Sequence, residues 1–226
     1  MTTLVLTERD MEVLALLEEH HAVPLKMLLA KFQTNPCTGE ANANPLKACE
    51  RRITALRKHG YVELDRVRDR GKIDVVARLA RRADKPLHSS ASRRRVAVSE
   101  RAHHVRTLEA VAVFEQLVKE RGGRVVTFRV EAALRSEKQR GRRTRRGERF
   151  ASFPDAVCTV ALATPSGERI VDVALEYVTS KYTDADIKEK AASFRQHFAE
   201  SFWFADRPRT AARVTRVTGS PCSILS

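Results

Sequence analysis

The chain has 226 residues and carries 42 Lys and Arg against 28 Asp and Glu, a formal net charge of +14. With 42% apolar residues it has material for a buried core, and its length suits two domains of about 100 residues each. No run approaches the roughly 20 apolar residues of a membrane helix, and the opening MTTLVLTERD lacks the basic and apolar regions of a secretory signal. Cys37, Cys49, Cys158 and Cys222 stand 12, 109 and 64 residues apart, which fits neither a zinc knuckle nor a disulfide framework. That usage suits a reducing, cytoplasmic setting. Membrane proteins, secreted mini-domains, repeat proteins and zinc fingers are poor readings of such a chain.

In chain order, TERDMEVLALLEEH opens on Thr7 with an acidic first turn, which predicts a helix carrying Met11, Leu14 and Leu17 on one face. Val23-Pro24 interrupts it, and a short helix follows through Leu25, Leu28, Leu29 and Phe32. Residues 33–45 are turn chemistry. A third helix is predicted from Leu46 to His59, with Gly60 ending it. Leu46, Cys49, Ile53 and Leu56 make its buried stripe, while Lys47, Arg51, Thr54 and Lys58 follow the opposite face, flanked by Arg52 and Arg57. YVELDRV and DVVARLA alternate as strands about a DRGK tip, a β-hairpin. Three helices and a basic hairpin in this order predict a winged helix-turn-helix. In that arrangement the third helix enters a major groove and the hairpin, through Arg68, Arg70 and Lys72, touches the DNA backbone.

Residues 84–101 are rich in Ser, Arg and Pro and are predicted to link this domain, residues 1–83, to a second one over 102–226. A long helix is expected from Ala102 to Arg121, then a strand RVVTFRV, a basic stretch over 138–149, and strands FPDAVCTVALA and ERIVDVALEYV. A helix TDADIKEKAASFRQHF capped by Thr183 or Asp184 follows, and then a strand SFWFADR whose aromatic residues are assigned to the core. The predicted fold class is therefore α+β: an N-terminal winged helix-turn-helix, then an α-β-β-β-α-β domain.

The charge is unevenly placed, at −3 over residues 1–50, +9 over 51–100, +8 over 101–150 and zero over 151–226. So concentrated a positive field attracts a polyanion, because neutralising phosphates releases condensed counterions. Double-stranded DNA is the expected partner, with Arg140, Arg142, Arg143, Arg145 and Arg146 of the basic stretch gripping phosphate. No membrane partner and no small-molecule substrate are indicated. A homodimer is the other expected assembly, since one winged helix often needs a second for specificity. On the acidic side, strand alternation sets Asp172, Ala174, Glu176 and Val178 on one face. Asp155 and Glu176 on adjacent strands have the chemistry to hold a divalent metal, with Glu131 or Asp172 as a helper and a charged strand end as the plainer role for Glu131.

LTERDMEVLALLEEHHAV, RRITALRKHGYVELDRV, HHVRTLEAVAVFEQL, PDAVCTVAL and VALEYVTSKYTDADIKEKAASF, in this order, resemble the replication-relaxation type proteins of plasmids and integrative elements. Those proteins join a winged helix to a domain similar to the PD-(D/E)xK nuclease fold. The resemblance implies that Pro154-Asp155 is the PD element and Glu176 the second acid. The lysine that would activate water belongs two residues later, where this chain has Val178; Lys181, Lys188 and Lys190 are the nearest substitutes, and Lys181 is the first expected. The function so implied is control of transcription or replication at a DNA site of a mobile element, phage or plasmid, without a cofactor and with a nuclease-like domain retained for docking or dimerisation. The alternative is a Mg²⁺-dependent endonuclease or nickase using Asp155, Glu176 and Lys181.

Overall fold

The computed structural model describes residues 4–20, 22–35, 38–69, 72–80, 100–131, 133–135, 152–164 and 167–225. The chain divides into two compact units, Met1–Val105 and Arg106–Ser226. Among the described residues each unit sets helices against one β-sheet, so the class is α+β. None of the described helices is long and apolar enough to cross a membrane.

In the first unit, α1 (Glu8–His20) starts at a reciprocal cap. The Thr7 hydroxyl accepts from the Asp10 backbone N–H at 3.3 Å, and the Thr7 N–H donates to Asp10 Oδ2 at 2.6 Å. This satisfies donors that a helix end otherwise leaves unpaired. β1 (Val23–Pro24) and α2 (Leu25–Leu28) follow, and a single 3-10 turn carries the chain on to Phe32. α3 (Pro45–Lys58) has Pro45 in its first turn and the Asn44 side chain accepting from the Lys47 N–H at 2.9 Å. It ends where predicted. Gly60 takes a φ of 76°, and the N–H groups of Gly60 and Tyr61 donate to the carbonyls of Arg57 and Leu56, a left-handed cap that glycine adopts without a Cβ penalty. β2 (Val62–Asp69) and β3 (Lys72–Leu79) form the antiparallel hairpin. β1 pairs antiparallel with β3 through Val23 and Ala77, giving the order β1-β3-β2.

Leu14, Leu17, Leu28, Phe32, Cys49, Ile53, Leu56 and Val62 close the core of this unit. Burial of each large side chain contributes about 1.5–3 kcal/mol. Leu46 departs from the predicted stripe and is 52% exposed: it lies in the first turn of α3, beyond the reach of the core.

α4 (Arg101–Glu120) begins one residue earlier than expected, and the unit boundary falls inside it. Ala102 and Val105 pack on Val67 and Val76 of the hairpin, which assigns the first turns of α4 to the first unit. The predicted linker falls largely on residues 81–99, outside the described residues.

The second unit carries β4 (Arg124–Val130), β5 (Ala156–Thr164), β6 (Gly167–Val178), α5 (Asp184–His197) and β7 (Glu200–Ala205), as expected. α6 (Pro208–Thr218) and β8 (Cys222–Ile224) then extend the pattern beyond the last predicted strand. The sheet order is β4-β5-β6-β7-β8. β4 and β6 each pair antiparallel with β5, whereas β6-β7 and β7-β8 are parallel and joined by helical crossovers. Strand β6 is buried on both faces over its last six residues. Val173, Leu175 and Tyr177 join Phe114 and Val118 of α4, while Ala174 and Val178 join Ile187, Phe194 and Trp203. Trp203 and Phe204 are core residues, as predicted.

Candidate nucleic-acid interface and an acidic centre

Lys47, Arg51, Thr54, Arg57 and Lys58 are all exposed, on the side of α3 away from Cys49, Ile53 and Leu56. Their spacing of three and four residues makes one stripe of four cations and a threonine along most of the helix, with the exposed Glu50 beside it. Arg52 does not belong to it. Its Nε bonds Asp10 Oδ1 at 2.7 Å, one Nη2 bond goes to the Val5 carbonyl at 2.9 Å, and another pairs with Asp10 Oδ2. The carboxylate it serves is buried at 1% exposure, so the side chain expected among the DNA contacts ties α3 to α1. In the hairpin, Arg68 is exposed, and so is Arg66. Arg78 pairs with Glu63 and Asp65, and Arg101 reaches Asp65 at 3.1 Å. Arg70, the side chain of Lys72, and Arg140, Arg142, Arg143, Arg145 and Arg146 lie outside the described residues.

The second unit gathers acids at one sheet edge. β4 meets β5 at Val130 and Ala156, and β5 meets β6 at Ala156 and Leu175. Continued by one residue, this register sets Asp155 beside Glu176, and Glu131, in the helical turn that follows β4, donates its N–H to the Asp155 carbonyl at 2.8 Å while its carboxylate pairs with Arg135. Like charges directly opposite in a sheet repel, and Asp155 and Glu176 are 5% and 1% exposed. Donors from the chain compensate. Asp155 Oδ2 accepts from the Tyr177 N–H at 2.8 Å, and Glu176 Oε2 accepts from the Asp155 N–H at 3.2 Å. Tyr182 donates its hydroxyl to Glu176 Oε1 at 3.2 Å. Lys190 Nζ lies 2.5 Å from the same oxygen and donates to the Phe153 carbonyl at 3.2 Å.

The position of Lys190 follows from α5. Thr183 and Asp186 form a capping box that starts the helix. Ile187, Ala191 and Phe194 then turn inward and carry Lys190 over the end of β6. Burial alone would lower the Lys190 pKa; the carboxylates of Glu176, Asp155 and Glu131 outweigh it and hold the ammonium above the usual lysine range. Burial, and then the same acids, raise the Tyr182 phenol strongly, which keeps it a neutral donor.

Comparison with known proteins finds no matching family model, curated protein or solved structure. The site is therefore judged on its own chemistry. The lysine that meets the acids is Lys190; Lys181 is exposed in the turn after β6. Asp155 and Glu176 come together as the sequence suggests, while Asp172 is exposed and bonds the Thr159 hydroxyl at 2.6 Å. Among the described residues no three His, Cys, Asp or Glu side chains assemble as a metal-binding group. The donor set is one acid pair with a lysine. Both Glu176 oxygens already meet donors of the chain, Oε1 from Lys190 and Tyr182 and Oε2 from the Asp155 N–H, so a Mg²⁺ ion, which takes one or two carboxylates and completes its shell with water and phosphate oxygens, would have to displace one of them. Sequence reasoning places Lys190 only among the substitutes. The signal for it is its spacing of three residues from Ile187, which turns both toward the sheet.

Proposed function

We propose that the chain is a double-stranded DNA-binding protein whose first unit docks α3 in the major groove. The observation that carries this reading is the exposed stripe Lys47, Arg51, Thr54, Arg57 and Lys58, opposite a fully buried apolar face. The hairpin that follows, with the β1-β3-β2 order, supports a winged helix-turn-helix. Arginine suits base reading because its planar fork bonds guanine bidentately. The resemblance to replication-relaxation type proteins belongs to this proposal, as do control of transcription or replication on a mobile element and assembly as a homodimer. The test is fluorescence anisotropy against duplexes of different sequence over a salt series. Arg51→Ala and Arg57→Ala each weaken the preferred site by about 1–3 kcal/mol, and removing a cation that neutralises one phosphate lowers the salt slope by about 0.9. Equal affinity of these variants and the parent for every duplex would remove α3 from the interface.

The contact of Lys190 with Glu176 favours a second reading, metal-assisted endonuclease activity in the second unit. Asp155 and Glu176 would hold Mg²⁺, which supplies Lewis-acid polarisation of a phosphodiester. This chain's own contributions are two fixed carboxylates and an ammonium held beside them by Glu176 and the Phe153 carbonyl. Incubation of end-labelled duplex with EDTA, Mg²⁺ or Mn²⁺ decides it. The enzyme reading expects metal-dependent cleavage by the parent chain and none by Asp155→Ala/Glu176→Ala. Intact DNA under every condition, with the complex formed, leaves a binding protein.

A further inference from the structure

A cluster of arginines lies in the part of the chain, residues 151–226, whose net charge is zero. A cleft of about 570 Å³ opens at the start of α6, lined by Ser180, Arg207, Arg209, Thr210, Arg213 and Arg216. We propose that it seats the phosphodiester backbone of double-stranded DNA, as a sequence-independent grip belonging to the second unit. The inference rests on the DNA-binding reading above and adds a contact surface to it.

The walls come from three places. Ser180 follows β6, Arg207 follows β7, and the other arginines ride on α6. Strands β6 and β7 are parallel and end together, Val178 beside Ala205, so the cleft lies beyond the carboxyl ends of parallel strands, where open sheets bind ligands. On α6, Thr210, Ala211, Val214 and Thr218 face inward. Arg209, Arg213 and Arg216 follow at four and three residues and share another face. They cover about 10 Å of helix axis, longer than one phosphate.

The charge balance favours an anion. Asp184 Oδ2 lies 2.7 Å from Arg216 Nη2 and Asp184 Oδ1 lies 3.9 Å from Arg213 Nε, while Asp206 Oδ2 lies 3.6 Å from Arg207 Nε. Four guanidiniums thus meet two carboxylates. Among the described residues Arg209 has no carboxylate partner, and the Arg213 Nη2 donates to the Thr179 carbonyl at 3.4 Å. Planar guanidiniums match phosphate oxygens through paired hydrogen bonds. The helix end adds to this: its cap position is Arg207 without a side-chain cap bond, and its first turn has no acid, so two arginines stand at the positive end of the helix dipole. Among the described residues no aromatic side chain lines the cleft, so bases have nothing to stack on and the contact is with the backbone. Glu176 lies two residues before the end of β6, so a strand seated here shares the sheet edge with the acidic centre.

The test uses the full chain and a fluorescein-labelled duplex of arbitrary sequence, about two helical turns long, in a salt series spanning the range where phosphate contacts are most salt-sensitive. Arg209→Gln/Arg216→Gln is expected to weaken binding about tenfold and to lower the salt slope by about 1.8, the value for two neutralised phosphates. The ratio between preferred and arbitrary duplexes stays the same, whereas Arg51→Ala/Arg57→Ala changes that ratio. Ala212 is exposed and also lines the cleft; Ala212→Cys carrying a photo-crosslinker gives a second measurement on a chain with every arginine in place, and a DNA adduct is expected. Unchanged affinity and slope together with no adduct overturn the cleft while leaving the α3 reading standing. Loss of binding in the cleft variant with an unaffected α3 variant does the reverse. Loss of inorganic tripolyphosphate binding in the cleft variant, with duplex binding intact, makes this a small-anion site and also overturns the proposal.

Discussion

Lys190→Met is expected to lower the unfolding free energy by about 3–5 kcal/mol, because it leaves a buried carboxylate without its cation. Glu176 is 1% exposed, and its Oε1 lies 2.5 Å from Lys190 Nζ. The repulsion between Asp155 and Glu176, balanced in the parent chain, then falls on the packing of β6. Glu176→Gln/Lys190→Met removes both charges and recovers most of the loss, since a buried pair replaced by neutral groups of similar volume is often close to neutral. Urea unfolding of the two single variants and the double variant gives the coupling directly. Equal losses in Lys190→Met and the double variant would mean that packing of the lysine stem, rather than its charge, matters. The pH dependence has a fixed sign. Lys190 is held above the usual lysine range, so its stabilisation is fully present below about pH 10.5 and is lost as pH rises through the higher folded value.

Arg52→Ala is expected to cost about 3 kcal/mol of stability and to leave sequence discrimination on DNA unchanged, whereas its neighbour Arg51→Ala does the opposite. Arg51 is exposed, and such substitutions usually stay within about 0.5 kcal/mol. Arg52 answers Asp10, whose carboxyl also caps α1 through Thr7. Burial would raise the Asp10 pKa; the bonds from Arg52 and Thr7 outweigh it and hold the group below its usual value. The stability so gained is present above about pH 4 and is lost as pH falls through the lower folded value. Arg52→Ala therefore flattens the acid limb of the stability curve. Denaturant midpoints across the acid range to neutrality measure it, and an unchanged limb would assign the acid sensitivity elsewhere.

Local pattern makes much of this fold readable. The spacing of Cys49, Ile53 and Leu56, the stop at Gly60 and the capping residues Thr7 and Thr183 are each decided within a few residues of chain. The ion pair of Arg52 is not legible in the pattern because its partner Asp10 lies 42 residues away, and a helical wheel cannot show which basic side chain folds back. β1 escapes prediction because two residues carry no period; only pairing with β3 makes Val23-Pro24 a strand. α6 escapes because arginines interrupt a short apolar stripe, and its inward face is partly threonine. The two acids are legible from their adjacent strands, but the lysine they meet is not. The family resemblance points past Val178 first to Lys181, whereas the return of α5 across the sheet, a tertiary event, delivers Lys190.

Strand β6 has a consequence for how the molecule is made. It bonds an antiparallel neighbour that precedes it in the chain and a parallel neighbour that follows it. On the ribosome, β4, β5 and β6 emerge as a meander with local contacts, while the partner for the other side of β6 waits until residues 200–205 have been translated. During that interval Val173 to Val178 is an apolar edge open to pairing with other nascent chains. Asp172 borders that edge and Glu176 interrupts it with negative charge, as gatekeeper residues do. The carboxylate that later lies buried under Lys190 thus guards the unfinished sheet before α5 has brought it a cation.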